Sequence, residues 1–207
     1  MSDTSTGRRV RKSPAVRRSE LADAARAIAL EEGLSAVTLR AVAARAGMTP
    51  ALVAHYAEGM DRLVADTFGE IVAAELAEVV GLLDGTDAAP QRLGRFLDIV
   101  LDGSRREVTL VWVQGWGLGA RNEALAERVR REMDAWQQAI ADEIRRGQDA
   151  GVFGEVDADA IAWHLLAMID GLDAHGLVRW REHPERAELT RRVLAGLLGV
   201  DAATLTP

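Results

Sequence analysis

The side chains of this chain that could act on another molecule fall into two groups. One lies within residues 38–63, TLRAVAARAGMTPALVAHYAEGMDRL, where Pro50, Ala51, Leu52, His55 and Tyr56 take the outward side of a short helix once Val53 packs inward. Small residues at the start of such a helix let its backbone sink into a groove about 12 Å wide, the width of the major groove of duplex DNA. The other group is aromatic. All five tryptophans, at positions 112, 116, 136, 163 and 180, follow residue 110. Trp112 and Trp116 are four apart and share a helix face, and Trp163 and His164 are followed by Met168, Asp170 and Asp173. Indole faces beside a carboxylate suit a cation, a quaternary ammonium included. The plainer use of each tryptophan is to fill a core, and of the two aspartates to lie on a helix surface or a subunit seam.

Catalysis has less to work with. There is no cysteine, which removes disulfides, thiolate zinc sites and cysteine nucleophiles, and there are four histidines. No carboxylate pair with a flanking histidine, no glycine-rich phosphate loop and no metal-ligand spacing stands out. No enzyme, cofactor or metal centre is therefore expected. No apolar run approaches the roughly 20 residues that span a bilayer, and the first residues lack the apolar stretch of a secretory leader. The expected location is the cytoplasm, with no membrane partner.

Charge is unevenly shared over the 207 residues. The formal net charge is −7, yet residues 1–64 carry ten Arg and Lys against seven Asp and Glu, and residues 65–207 carry 15 against 25. A basic front end on an acidic molecule points one end at a polyanion.

The elements that must position these groups are helices. Alanine and leucine abound, alternating β-branched runs are missing, and turn signals fall at helix-sized intervals. The spacing predicts a disordered basic arm over 1–16, then helices from about 17–19 to 32, closed by Gly33, and over 38–45, 49–56 and 60–83. After a connector at 85–90 follow helices over about 90–103, 106–119, 122–149, 157–181 and 184–199. Asp157 is the expected N-cap of one, and Pro184 suits the first turn of the last. Within 38–56, Thr38 caps a short helix whose Val42 and Ala46 face inward, and Ala43 is small enough for a second helix to cross. Gly47 supplies the positive φ of a tight turn, Thr49 caps the second helix and Pro50 sits at N1, where a missing N–H costs nothing. These are the parts of a helix-turn-helix.

The stretch T-L-R-A-V-A-x-x-A-G-M-T-P-A-L-V-A-H-Y resembles the TetR-family pattern T-x-x-x-I-A-x-x-A-G-V-S-x-x-x-L-Y-x-Y-F, at the family's usual distance from the N-terminus. The H-Y after the recognition helix, together with W-V-Q-G-W-G-L-G-A-R and I-D-G-L over 112–172, is similar to the choline-repressor, BetI-like branch. The resemblance implies an all-α protein. Residues 17–60 would form a three-helix DNA-binding domain, and 61–207 a helical ligand-binding and dimerisation domain. It also implies roles. Thr38, Thr49 and Tyr56 would bind phosphates through their hydroxyls, and Arg40 would reach a base edge, the alternative being a surface ion pair. Pro50, Ala51 and Leu52 would make apolar contacts, and His55 would touch a base or phosphate or else pack at the helix end. Arg8, Arg9, Arg11 and Lys12 would track a minor groove, and Arg17 and Arg18 the backbone.

Two positions depart from the family pattern. Ala57 replaces an aromatic that braces the recognition helix, and Met60 replaces a phosphate-binding lysine. In the second domain the resemblance implies a small-molecule effector among Trp112, Trp116, Trp136, Trp163, His164 and Met168. A homodimer seam would use Leu165, Ile169, Leu172, Leu189, Val193, Leu194 and Leu197, unless that stripe is the monomer interior. A dimer would repeat the recognition helix at half-sites about 34 Å apart, or a multiple, on a near-palindromic operator. The expected function is a ligand-responsive repressor. The alternatives are an activator of the same family, and an interaction scaffold whose DNA reader has decayed.

Overall fold

A computed structural model describes residues 13–83, 88–180 and 185–206. Arg8, Arg9, Arg11 and Lys12, residues 85–87 of the connector and Pro184 lie outside the described residues. Those described form nine α-helices and no strand: α1 (Pro14–Glu32), α2 (Leu39–Arg45), α3 (Pro50–Tyr56), α4 (Met60–Leu83), α5 (Ala89–Val100), α6 (Arg106–Gly119), α7 (Glu123–Asp149), α8 (Ala158–Leu177) and α9 (Arg186–Leu198).

The first three helices pack together at the N-terminal end, and their buried residues are continuous with the rest of the core. Leu21, Ala25 and Ile28 of α1 meet Val42 and Ala43 of α2 and Val53 of α3, all buried. Local chemistry sets the corner between α2 and α3. Thr38 Oγ1 accepts from the Ala41 N–H at 3.2 Å and Thr49 Oγ1 from the Leu52 N–H at 3.3 Å, each satisfying an orphan donor of a helix's first turn. Gly47 holds φ at +60°, which a β-carbon would disfavour. Ala57, in place of the bracing aromatic, is buried at the C-cap of α3.

Helix boundaries shift where caps prevail over periodicity. α1 begins at Pro14 rather than 17–19, because Ser13 caps it by accepting from the Val16 N–H at 3.3 Å while Pro14 takes N1. Residues 13–16, expected in the arm, are cap and first turn. α5 ends at Val100 rather than 103, ahead of Gly103 with φ +79°, and α8 ends at Leu177 rather than 181, ahead of Arg179 with φ +54°. A short 3-10 turn at Ala202–Leu205, unsuspected from periodicity, returns Leu205 to full burial.

The second domain is built around α7, which packs on α4, α5, α6 and α8. Leu125, Ile140 and Ile144 of α7 are fully buried with Phe68 of α4 and Leu165 of α8. Each such side chain contributes about 1.5–3 kcal/mol relative to exposure. Two acids on the same buried stripe are paired: Glu143 with Arg92 of α5 at 2.9 Å, and Glu132 with Arg128 at 2.6 Å. Unpairing a buried ion of this kind costs about 3–5 kcal/mol, so the Arg92 bridge holds α5 against α7.

Three of the expected seam residues are buried in the interior. Leu165 is fully buried and Ile169 nearly so, because both lie on the side of α8 turned toward α7. Leu194 of α9 is likewise fully buried. Leu172 is half-buried, and Leu189, Val193 and Leu197 stay 42%, 48% and 39% exposed along one face of α9.

Candidate functional site

The helix-turn-helix presents one surface. Thr38, Arg40, Thr49, Pro50, Ala51 and His55 are exposed, and Leu52 and Tyr56 are half-buried, the rings of His55 and Tyr56 meeting edge-on at 5.0 Å. The hydroxyl oxygens of Thr38 and Thr49 are used as caps, and their O–H protons stay available to donate to a phosphate. Arg18 is exposed. Arg17 is half-buried and paired with Glu20 at 3.1 Å, so it must leave that partner to reach a backbone. Arg45 is spent on Glu31.

The second feature is a partly open cavity among α4, α5, α6, α7 and α8. Trp112 and Trp116 of α6, Trp136 and Met133 of α7 and Phe96 of α5 form its apolar walls. Trp112 and Trp116 lie 5.8 Å apart between ring centroids, and Phe68 braces Trp112 from behind, edge-on at 5.1 Å. Three carboxylates face the same space: Glu75 of α4 and Asp170 and Asp173 of α8.

Their environments differ. Glu75 accepts from the Trp112 indole N–H at 3.3 Å and lies 4.0 Å from Arg105, whose guanidinium also holds Glu78 at 2.8 Å and the Ile99 carbonyl at 3.0 Å. Asp173 lies 3.5 Å from Arg186. Asp170 has neither a hydrogen bond nor an ion pair among the described residues. Burial pushes Glu75 up to about 7, outweighing the indole and Arg105. Asp170 rises to about 7 through burial and then the charge of Asp173, and Asp173 to about 6 through burial, against the pull of Arg186. Indole faces beside carboxylates whose charged form burial penalises, with the Arg105 guanidinium at the same wall, can accommodate a polar or cationic guest.

Of the aromatic candidates, Trp112, Trp116 and Trp136 come together here. Trp163, His164 and Met168 do not line the cavity. α8 meets it between Leu166 and Asp173; Trp163 precedes that stretch and is 60% exposed, His164 is exposed beside it, and Met168 packs partly buried against the core. The aspartates expected on a surface or seam turn inward, since positions 170 and 173 lie one turn beyond the lining residues Leu166 and Ile169. Glu75 and Arg105 were missed. Glu75 carried a signal: it falls four residues after Ile71 and four before Val79, an acid inside an apolar helical stripe.

A helix-turn-helix joined to a helical domain that holds a charged, aromatic cavity is the arrangement of a ligand-responsive DNA-binding regulator. Residues 21–67 match the family profile described as bacterial regulatory proteins of the tetR family, and residues 89–199 match that of the C-terminal domain of BetI-type transcriptional repressors. The chain belongs to the tetR family, in its BetI-type repressor branch, and these are transcriptional regulators, not enzymes. The HTH-type transcriptional regulators BetI of Rhizobium meliloti and Vibrio parahaemolyticus are similar to it, at 27% identity over 76% of each chain and 25% over 79% of this chain and 81% of the relative. Among solved structures, a transcriptional regulator of Saccharomonospora viridis in complex with choline superposes with TM-score 0.73 and 26% identity, over 89% of this chain and 96% of that one. A TetR-family regulator of a Rhodococcus species shares the fold at TM-score 0.73 and 23% identity, over 89% and 99%.

Proposed function

We propose that this chain binds a near-palindromic operator as a cytoplasmic homodimer, represses transcription there, and lets go when a small organic cation enters the tryptophan-walled cavity. The observation that carries the cation is Asp170, a half-buried carboxylate without a partner among the described residues, which lines the same cavity as three indoles. The choline bound by the Saccharomonospora relative supports the same effector class.

In this reading α3 enters the major groove. Pro50, Ala51 and Leu52 lie at the groove floor, Thr38, Thr49 and Tyr56 donate to phosphates, and Arg40 reaches a base edge. His55 touches base or backbone, and Arg17 and Arg18 approach the flanking backbone. Twofold symmetry comes from α8 and α9, whose exposed Leu189, Val193 and Leu197, with the half-buried Leu172, form an apolar stripe that a partner copy would cover. Release follows from connectivity. α4 starts directly after the recognition helix and, about 23 Å along its 24 residues, brings Glu75 to the cavity. A cation that prefers the non-binding arrangement by about 1–3 kcal/mol shifts occupancy severalfold or more.

The test is to select duplexes from a random library with the full chain, then titrate the selected duplex with and without choline chloride. Binding that falls about 0.9 log units per log unit of salt for each phosphate neutralised, and that weakens with choline, is expected. Indifference to every duplex at low salt sinks the proposal.

A further inference from the structure

Between the two tryptophans that wall the cavity, α6 presents a side chain to the DNA-reading domain. The Ser35 backbone N–H donates to Gln114 Oε1 at 2.8 Å, a bond spanning 79 residues of sequence. The same amide lies on Gly33. A β-carbon at position 33 would fall 2.8 Å from Gln114 Nε2 and 2.9 Å from Oε1, and Gly33 itself holds φ at +91°. Glycine suits that backbone conformation and leaves the amide where it lies. Gly33 closes α1, residues 34–36 form a 3-10 turn, and Thr38 then caps α2. The glutamine therefore grips the link between the first two helices of the DNA-reading unit.

The other side of this stretch of α6 is fixed to the cavity. Trp112, Val113 and Trp116 line it, and Trp112 is tied to Glu75 by its indole N–H. A displacement of α6 by a guest would act on the elements it packs against, among them Phe68 of α4 and the 33–36 turn, and Gln114 makes the directed bond to the second.

We propose that Gln114 is the positioning residue through which occupancy of the cavity is transmitted to the DNA-reading domain. It holds Ser35, and with it the junction of α1 and α2, in register with the tryptophan-bearing wall. The inference rests on the functional reading above and deepens it. A pathway is established by coupling and not by adjacency, and coupling between two sites is reciprocal. Duplex binding should accordingly be felt at α6 with no effector present.

The experiment compares the full chain with Gln114→Met, which keeps the length and loses the acceptor, and Gln114→Glu, which keeps an acceptor oxygen. Amide exchange over residues 106–119 is followed with and without the duplex selected by the wild type, and duplex affinity with and without choline chloride. In the wild type and Gln114→Glu, the duplex slows exchange in this segment and choline weakens duplex binding, each by roughly fivefold or more. In Gln114→Met both responses fall below about twofold, while duplex affinity alone, choline affinity alone by tryptophan emission, and helical content stay at wild-type levels. A methionine variant with the full wild-type response overturns the proposal. So does a wild type that binds duplex with no change in 106–119, an outcome that leaves DNA recognition standing. A chain that binds no duplex overturns the functional reading and the inference together.

Discussion

The edge of the Phe68 ring occupies the space a side chain at position 115 would need: a β-carbon on Gly115 would fall 2.6 Å from the ring. α4 and α6 meet at this point, and Phe68 is fully buried, so the ring has nowhere to retreat. Gly115→Ala should force the helices apart at a cost of about 1–3 kcal/mol. Gly117→Ala, two residues on, meets nothing within 4 Å and should be neutral or stabilise by about 0.5–1 kcal/mol through helix propensity. Thermal denaturation of the two variants side by side checks the pair, and an equal effect at both positions contradicts the packing account.

The cavity carboxylates make stability depend on pH. Glu75 and Asp170 titrate near 7 and Asp173 near 6 in the folded chain, against about 4 when unfolded. Between pH about 4 and 7 the folded state therefore holds more protons than the unfolded one, and these groups lower stability as pH rises through that window. Cation binding runs the other way, because the guest favours the ionised acids, so affinity for choline should rise between pH 6 and 8. Denaturant midpoints and choline titrations at both pH values read the two signs.

Asp170→Asn removes the unpartnered charge without changing shape. Choline affinity should fall by roughly tenfold or more, the scale of a lost charge-assisted contact, and its pH dependence should flatten. Stability at pH 8 should hold or rise, since an unfavourably buried carboxylate is gone. Calorimetric titration with a chemical-denaturation control separates the effects. Unchanged affinity would place the guest's charge at Glu75 or Asp173 instead.

Arg40 is exposed at the helix-turn-helix, and Arg40→Ala should weaken the selected duplex by about 1–3 kcal/mol and relax preference at one base position. Uniform weakening across sequences, with a salt slope shallower by about one, would assign it to a phosphate. Binding to a panel of single-base operator variants distinguishes these outcomes.

Val193→Glu puts a charge in the middle of the exposed α9 stripe without disturbing the buried face. The variant should sediment as a monomer with normal helical content and lose most duplex affinity, because one recognition helix cannot span two half-sites. A dimeric Val193→Glu would move the seam elsewhere.

Sequence alone determined the all-helical architecture and the reader at residues 38–56. Its determinants are local: Thr38 and Thr49 as caps, Gly47 at positive φ, Pro50 at N1, and Val42, Ala43 and Val53 at helical spacing all act within a few residues of chain. Sequence also marked the tryptophans as the chemical interest of the second domain. Tertiary structure decided which of them share a space. Helical periodicity says that Leu165, Ile169, Asp170 and Asp173 lie within an arc of about 140° on α8, but not whether that arc meets α7, a cavity or another subunit. Only the packing of α8 against α6 and α7 buries Leu165 and Ile169, turns the two aspartates toward Trp112 and leaves Trp163 outside. A side chain's neighbours across helices depend on how those helices are rotated and offset, and residues up to a hundred positions apart set that jointly.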